Sequence, residues 1–400
     1  MSFDIALSGI KAINNQLEAV SNNIANSGTY GFKSSRANFA SLYAGTSANG
    51  VEVGSMTQNI GMNGAMQTTG RSMDAAITGR GFFVTRDQTG VMTYTRVGIF
   101  NVNKDGYVVD SAGRNVQGFG AANGGASGVM GDIRVPTGQI PAVASTKLSY
   151  EGNLSADWKT PLTAFDSKDS TSYNMAKQSV VYDSLGDKHT LTQYFVKTNT
   201  NEVTVYYAFD GAAIKAGSTP APDQQTLTFN NVGQLPPVPP SPALSFTPAN
   251  GAAALTVSID YSGTTQFAGE ATTTTNNTDG YASGVFVGVE VAPDGSVIAK
   301  YSNEQQQAIG TIAIATFPNE GALSSLSNTS WAATVESGTP LYDAPGKGLN
   351  GKLSTGTLEG SNVDITSELV GLMTSQRNYQ ANSKVISTEN QMMQALMQAM

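Results

Sequence analysis

Four hundred residues exceed one ordinary core and imply roughly two to four domains. Only 13% of them are charged, beside 43 glycines, the balance of a turn-rich β protein whose low-charge outer faces resist association weakly. Of the net charge of −8, −6 falls between Glu151 and Gly280 (twelve acidic residues against six lysines), and there is no cysteine and one histidine, which argues against nucleic acid, anionic membranes, disulfides and zinc.

At the N-terminus, Met1-Ser2-Phe3-Asp4-Ile5 lacks a basic segment and a small-residue cleavage site, so no cleaved signal peptide is expected. No run approaches the ~20 apolar residues of a membrane span, and membrane insertion is not expected. Phe3, Ala6, Ile10, Ile13, Leu17, Val20 and Ile24 follow a 3-4-3-4 spacing. That places one apolar residue at each inner heptad position and predicts a helix with a narrow stripe of the coiled-coil kind. Glycine-bearing connections follow near Gly45–Gly64 and recur near Gly346–Gly360; Gly54 and Gly356 are the hinge candidates within them.

The long interior reads as strands. Turn signals stand at Asp105-Gly106, Asp210-Gly211, Asp279-Gly280 and Asp294-Gly295, commonly between β-branched or aromatic runs, as hairpins require. Val91 to Val109 reads as one hairpin, Gly120 to Gly131 as a loop, and the proline-rich Gln234 to Pro248 as a loop or linker and not a strand. Near the far end Ser361 and Asp364 fit a capping box. Beyond them Ile365, Leu369, Leu372, Tyr379, Ile386, Met393, Leu396, Met397 and Met400 continue the helical spacing, with Gln376, Ser383 and Asn390 as polar interruptions. No proline interrupts Asn362 to Met400, so a helix there reaches ~50 Å. Two such stripes at opposite ends of a β-rich chain favour mutual pairing over two separate surface helices.

Catalytic and metal motifs are weak. Asn101-Val-Asn103-Lys-Asp105-Gly106 begins like a calcium loop, but Ala112 stands where the pattern wants glutamate, and a hairpin turn is the better reading. His189 with Asp183 and Ser184 lies around a Leu-Gly turn without a nucleophile elbow. Gly79-Arg-Gly81 leads into a strand, where a phosphate loop would open a helix. No cofactor and no enzymatic activity are expected.

The stretch after the first helix, Asn22-Asn-Ile-Ala-Asn-Ser-Gly-Thr-Tyr-Gly-Phe-Lys33, resembles the signature of the flagellar rod and hook axial proteins; Asn22, Asn23, Asn26, Gly31, Phe32 and Lys33 carry the likeness. Gly81-Phe-Phe-Val84, Tyr94-Thr-Arg-Val-Gly-Ile-Phe100 and Gly106-Tyr-Val-Val-Asp110 resemble the inner β-domain of that family. Leu358-Glu-Gly-Ser361-Asn362-Val363-Asp364-Ile-Thr366 and Gln376-Arg377-Asn-Tyr379-Gln-Ala-Asn382 are similar to its C-terminal signature. The acidic insertion, with Ser172-Tyr-Asn174, Val181-Tyr-Asp-Ser-Leu-Gly-Asp187, His189 and Tyr301-Ser-Asn303, favours hook over rod. Glu304 stands where the family commonly has glycine.

The resemblance implies a mainly β fold with helical termini and a nested layout. Residues 1–30 and 363–400 would form the core, 31–70 and 346–362 the connecting segment, 71–147 and 281–345 an inner β-domain, and 148–280 an outer one. It implies a structural subunit that polymerises with copies of itself into a flexible tube coupling rod to filament and transmitting torque. Ile10, Ile13, Leu17, Val20, Ile24, Leu369, Leu372, Tyr379, Ile386, Met393 and Leu396 would form the assembly core. Distal rod, hook cap and hook–filament junction proteins and the flagellar export apparatus are its implied partners, and an extracellular place at the basal body its implied location.

Overall fold

A computed structural model describes residues 2–44, 47–120, 129–213, 224–237 and 241–399. Gly45, the glycine-rich 121–128, Pro239, Pro240 and Met400 lie outside the described residues. The chain is mainly β, with one long helix at each end: α1 (Ser2–Ala25) and α2 (Ile365–Ala399). It divides into two compact units. The first comprises Met1–Thr137, Val287–Lys300 and Gln306–Met400; the second comprises Gly138–Phe286 and Tyr301–Gln305. The second unit therefore takes in residues 138–147 and 281–286, which the sequence reading places in the inner domain.

In the first unit α1 is followed by an antiparallel ribbon, β1 (Ser35–Ala44) and β2 (Ser47–Gln58). The sequence reading has only a glycine-bearing connection here. Its core lies where the strands Phe82–Arg86, Met92–Thr95, Ile314–Thr316 and Ser330–Ala332 meet. Phe82, Phe83 and Val84 are all buried, the unbroken apolar run of a strand covered on both faces. Phe82 packs edge-on against Phe317 and Trp331, and the Tyr94 hydroxyl hydrogen-bonds that of Tyr342. The hairpin expected across Val91 to Val109 is shorter than that. Phe100–Val102 pairs with Val108–Asp110, whereas Met92–Thr95 pairs back onto Phe82–Arg86. Asn103 makes the turn, its Oδ1 accepting from the N–H groups of Asp105 and Tyr107.

Two short strands return the chain from its C-terminal side. Lys352–Thr355 pairs with Ala75–Thr78, and Thr357–Glu359 pairs with Met66–Thr68. Gly98, in the motif after Tyr94, is required by this packing. A Cβ there would sit 1.6 Å from the Ala75 carbonyl oxygen.

In the second unit Lys147–Asn153, Ala243–Phe246, Leu255–Asp260 and Thr272–Thr278 form one sheet. Met175–Tyr182, Lys188–Asn199, Glu202–Phe209, Ala212–Ala213 and Gln224–Thr228 form another. Alternate residues of both, Leu148, Tyr150, Phe195, Val205, Val257 and Tyr261 among them, share one core, as inward-facing positions of packed sheets do. Two expectations need correction here. The proline-rich run contains the strand Ala243–Phe246, because its Leu244 and Phe246 alternate inward between the prolines. Asp279-Gly280 does not turn a hairpin: the Asp279 carboxylate accepts from the N–H groups of Thr146 and Lys147, and pins the start of another strand. Asp210-Gly211 does turn one, with φ of 48° and 78°. Glu304 holds φ of 63°, so the turn keeps the left-handed geometry that glycine would adopt freely.

Candidate assembly interface

Along α1 the apolar stripe splits in two. Ala6, Ile13 and Val20 are buried, Ile10, Leu17 and Ile24 are half-buried, and Phe3 is exposed. Gly9, Ala12, Ala19 and Asn23 are buried with the first set. The covered face is therefore wider than the stripe and is lined with small residues, since α2 packs on one flank and the β1–β2 ribbon on the other. Close approach explains the small residues: a Cβ at Gly9 would stand 3.0 Å from the Asn382 amide nitrogen.

The two helices run antiparallel, with Asn23 meeting Glu368, Val20 facing Gly371 and Gly9 facing Asn382. Asn23 is the central joint. Its Nδ2 donates to Glu368 Oε1 and to the Ser35 carbonyl, each at 2.8 Å, and its Oδ1 accepts from Ser35 N–H at 2.9 Å. On α2 only one edge is covered: Leu372, Asn382 and Ile386 are half-buried, Ser375 is buried, and Tyr379 sits at the rim. Leu369 is exposed, as are Met393 (64%), Leu396 (65%) and Met397 (72%). Gln376 and Arg377 are exposed too. The structure thus brings Leu372, Tyr379 and Ile386 to α1 and leaves the remaining α2 stripe uncovered.

The paired motifs clamp the two ends of the chain at the base of this helix pair. Asn26 Nδ2 bonds the Asn22 carbonyl and Oδ1. Gly31, at φ of 68°, donates its N–H to the Glu359 carbonyl at 2.8 Å. Asn362 accepts from Ser34 N–H through Oδ1, donates to the Asn59 and Met62 carbonyls through Nδ2, and gives its own N–H to the Phe32 carbonyl. The cap of α2 is shifted from the expected box. Asp364, not Ser361, caps the helix by accepting from Thr366 N–H and the Ser367 hydroxyl, while Ser361 accepts from Val363 N–H. The Ser367 hydrogen bond, with those of the backbone, holds the Asp364 carboxyl below its ordinary value.

Beneath the clamp lies a buried ionic junction. Lys33 Nζ donates to Glu359 Oε1 at 2.7 Å and to the Met62 carbonyl at 2.6 Å. Arg96 donates to Glu359 Oε2 at 3.2 Å and to the Gly79 carbonyl at 2.9 Å, and lies over the Phe82 ring. All three side chains are almost wholly buried. Burial lowers the pKa of both cations, with Glu359 opposing it in each. Sequence reading includes Lys33 among the motif residues but singles out neither Arg96 nor Glu359. The available signal is that both are charges at the ends of strands in a charge-poor chain: Arg96 directly follows Met92–Thr95, and Glu359 ends Thr357–Glu359. The junction joins three distant stretches, and a buried pair of this kind tends to fix register more than it adds stability.

The hinge candidates are both held by hydrogen bonding around them. Gly54 is the extra residue of a bulge in β2, between Val53 paired with Phe39 and Ser55 paired with Asn38. Gly356, at φ of 64°, donates to the Asp74 carbonyl and accepts from Thr69 and Gly70.

In the second unit His189 bridges two carboxylates, Nδ1 to Asp210 at 2.8 Å and Nε2 to Asp183 at 3.2 Å. Ser184 accepts from Ala253 N–H and has no part in the bridge. Burial raises the Asp183 carboxyl, but hydrogen bonds from Asn250 and His189 outweigh it and hold the group at about 2. Burial lowers His189, and its bonds to Asp210 and Asp183 reverse that to a net rise. Among the described residues no group of three or more His, Cys, Asp or Glu is placed to hold a metal ion, and no helix is long and apolar enough to cross a membrane.

Four family models match this chain in order. Residues 3–33 match the flagella basal body rod protein model, and 76–156 the flagellar hook protein FlgE/F/G D1 domain. Residues 153–281 match the flagellar basal body protein FlaE D2 domain, and 354–399 the flagellar basal body rod FlgEFG protein C-terminal model. The flagellar hook protein FlgE of Salmonella typhimurium is 37% identical over 99% of both chains, and that of Escherichia coli is 36% identical over the same share. The flagellar hook protein FlgE of Treponema pallidum is 29% identical over 98% of this chain and 97% of its own. In fold, the chain is similar to the crystal structure of Helicobacter pylori flagellar hook protein FlgE2. The TM-score is 0.53 and the identity 14%, over 73% of this chain and all of that one.

Proposed function

The chain belongs to the flagellar hook protein family and is a structural, non-enzymatic subunit of the hook; on that premise we propose that the α1–α2 pair, residues 1–30 and 363–400, forms the core of the hook polymer. One observation carries this reading: α2 presents Leu369, Val370, Met373, Met392, Met393, Leu396 and Met397 to solvent. Exposed apolar clusters of this kind at both ends of one helix, on a lone subunit, mark surfaces that other protein covers. Methionine supports it, since an unbranched thioether adapts to the slightly different geometries that subunits of a bending tube must share. The low-charge surfaces exchange weak polar contacts as neighbours slide, which suits a flexible coupling that transmits torque. Rod, cap and junction proteins would meet the two ends of such a polymer, and the export apparatus would deliver its subunits.

Ile13→Asp and Leu372→Asp test the core. Each places a carboxylate on the covered seam, where an unpaired charge is costly. Electron microscopy and sedimentation are expected to show soluble subunits without tubes. In a Trp158→Phe background, the fluorescence of Trp331, from the β-core of the first unit, is expected to stay native. Tubes of normal length from both variants would refute the proposed core.

A further inference from the structure

We propose that the last turns of α2 in one subunit seat in a cleft at the opposite end of the helix pair of the next, so that the inner core of the polymer propagates head to tail. The proposal rests on the polymer reading above and adds to it which surfaces meet.

The antiparallel register, Asn23 to Glu368 and Gly9 to Asn382, sets Ser2 level with about residue 389. Residues 390–399 of α2 therefore run on beyond α1 for ~15 Å. This overhang, Asn390-Gln-Met-Met-Gln-Ala-Leu-Met-Gln-Ala399, contains no charge, and its Met392, Met393, Leu396 and Met397 are exposed. At the other end of the pair, the C-terminal half of α1, the base of the β1–β2 ribbon and the first turns of α2 enclose a cleft of about 440 Å³. Gln16, Val20, Arg36, Ala37, Glu368 and Gly371 line it.

Three features fit the one to the other. The cleft walls are mostly small or neutral, matching the Met, Leu, Ala and Gln of the overhang. Glu368 already accepts from Asn23, so its charge is partly satisfied within the subunit. The last turn of α2 carries no basic residue, leaving its final carbonyls, the negative end of the helix dipole, without a local cation. The exposed guanidinium of Arg36 in the cleft supplies one. Within a single subunit about 30 Å of helix separates the overhang from the cleft, so only another copy can bring them together. Such a contact joins two different surfaces, the heterologous kind of interface from which open filaments are built.

The chain has no cysteine, so engineered disulfides report the contact without background. Full-length copies carrying Met397→Cys are polymerised with copies carrying Gln16→Cys, oxidised with copper phenanthroline, and resolved on a non-reducing gel. A covalent dimer is expected from the polymer fraction. It should be absent when Glu18→Cys, on the exposed side of α1, replaces Gln16→Cys. Met393→Cys with Thr57→Cys provides an independent pair across the same contact. Polymers that give neither dimer, or that cross-link through position 18 in preference to 16, overturn the head-to-tail seat while leaving the hook reading intact. Failure of the unmodified chain to polymerise at all would remove the polymer reading itself, and this proposal with it.

Discussion

Glu359→Gln isolates what the buried junction contributes. One carboxylate serves three donors, two of them charged: Oε1 accepts from Lys33 Nζ at 2.7 Å and Gly64 N–H at 3.0 Å, and Oε2 from Arg96 at 3.2 Å. The amide of glutamine keeps the shape but turns an NH₂ toward one of the two cations, and both lose their counter-charge inside the fold. Removing one partner of a buried ion pair costs ~3–5 kcal/mol, against a net stability of ~5–15 kcal/mol for a whole domain. Trp158 belongs to the second unit and Trp331 to the first, so a Trp158→Phe background leaves fluorescence reporting on the unit that holds the junction. With urea slopes of ~1–3 kcal/mol/M, the midpoint is expected to fall by on the order of 1–3 M. The pH dependence gives a second readout. Burial already lowers Lys33 from its ordinary value of 10.5, with Glu359 opposing, and without Glu359 it falls further. Folded Lys33 is then neutral at pH values where the unfolded chain still holds the proton, so stability rises with pH through that window. The deficit of the variant is therefore expected to shrink between pH 7 and 10. A deficit below about 1 kcal/mol at pH 7, well under the cost of a broken buried pair, or one that grows with pH, would refute the assignment of a paired charge cluster.

Glu304→Gly is expected to stabilise the second unit by ~1 kcal/mol, because φ of 63° costs a side chain about that much and glycine little; urea unfolding followed by Trp158 measures it, and a loss of stability would contradict the strained turn. The His189 bridge predicts a stability plateau bounded on both sides. Asp183, held at about 2, contributes stability that is present above its unfolded value near 4 and lost as pH falls toward 2. His189, with its raised pKa, contributes stability that is full below its unfolded value of about 6.5 and lost as pH rises through the folded one. His189→Gln should flatten the alkaline limb and, because His189 is one of the bonds that hold Asp183 down, weaken the acid limb as well, which thermal melts from pH 2 to 9 would show.

How much of this was legible in the sequence depends on where each signal resides. The α1 stripe was readable because one apolar residue in each half-heptad survives any neighbour, the strand at Phe82 because it opens with an unbroken apolar run, and the hairpin at Phe100 because Asp105-Gly106 signals its turn. The seam of α2 was readable only at Leu372, Tyr379 and Ile386. Its other positions, Glu368, Ser375, Asn382 and Glu389, are polar, so periodicity drew attention to Leu369, which is exposed beside α1, and to Met393 and Leu396, which lie beyond its end. The β1–β2 ribbon escaped because Gly50 and Gly54 read as loop, whereas both sit inside a ladder with two register shifts. Arg96 and Glu359 escaped for a different reason: a charge at the end of a strand is ambiguous until its partner, 263 residues away, is placed beside it.

The polarity of that seam bears on how the polymer assembles. Polar residues at inner heptad positions sacrifice stability and specify register and partner, and here Asn23–Glu368 and the Gly9–Asn382 approach do the specifying. An isolated helix gains little stability without packing, and α2 packs along one edge only. The subunit therefore keeps its aromatic burial in the β-cores, which fold within one chain, and leaves its helical ends weakly held but aligned by polar contacts and by the ionic junction at their base. Strengthening the seam with apolar residues, for example Ser375→Leu beside Gly371, would favour the lone helix pair over contacts with neighbouring copies. A core that must re-pack as a tube bends is better served by the alignment that the present residues give.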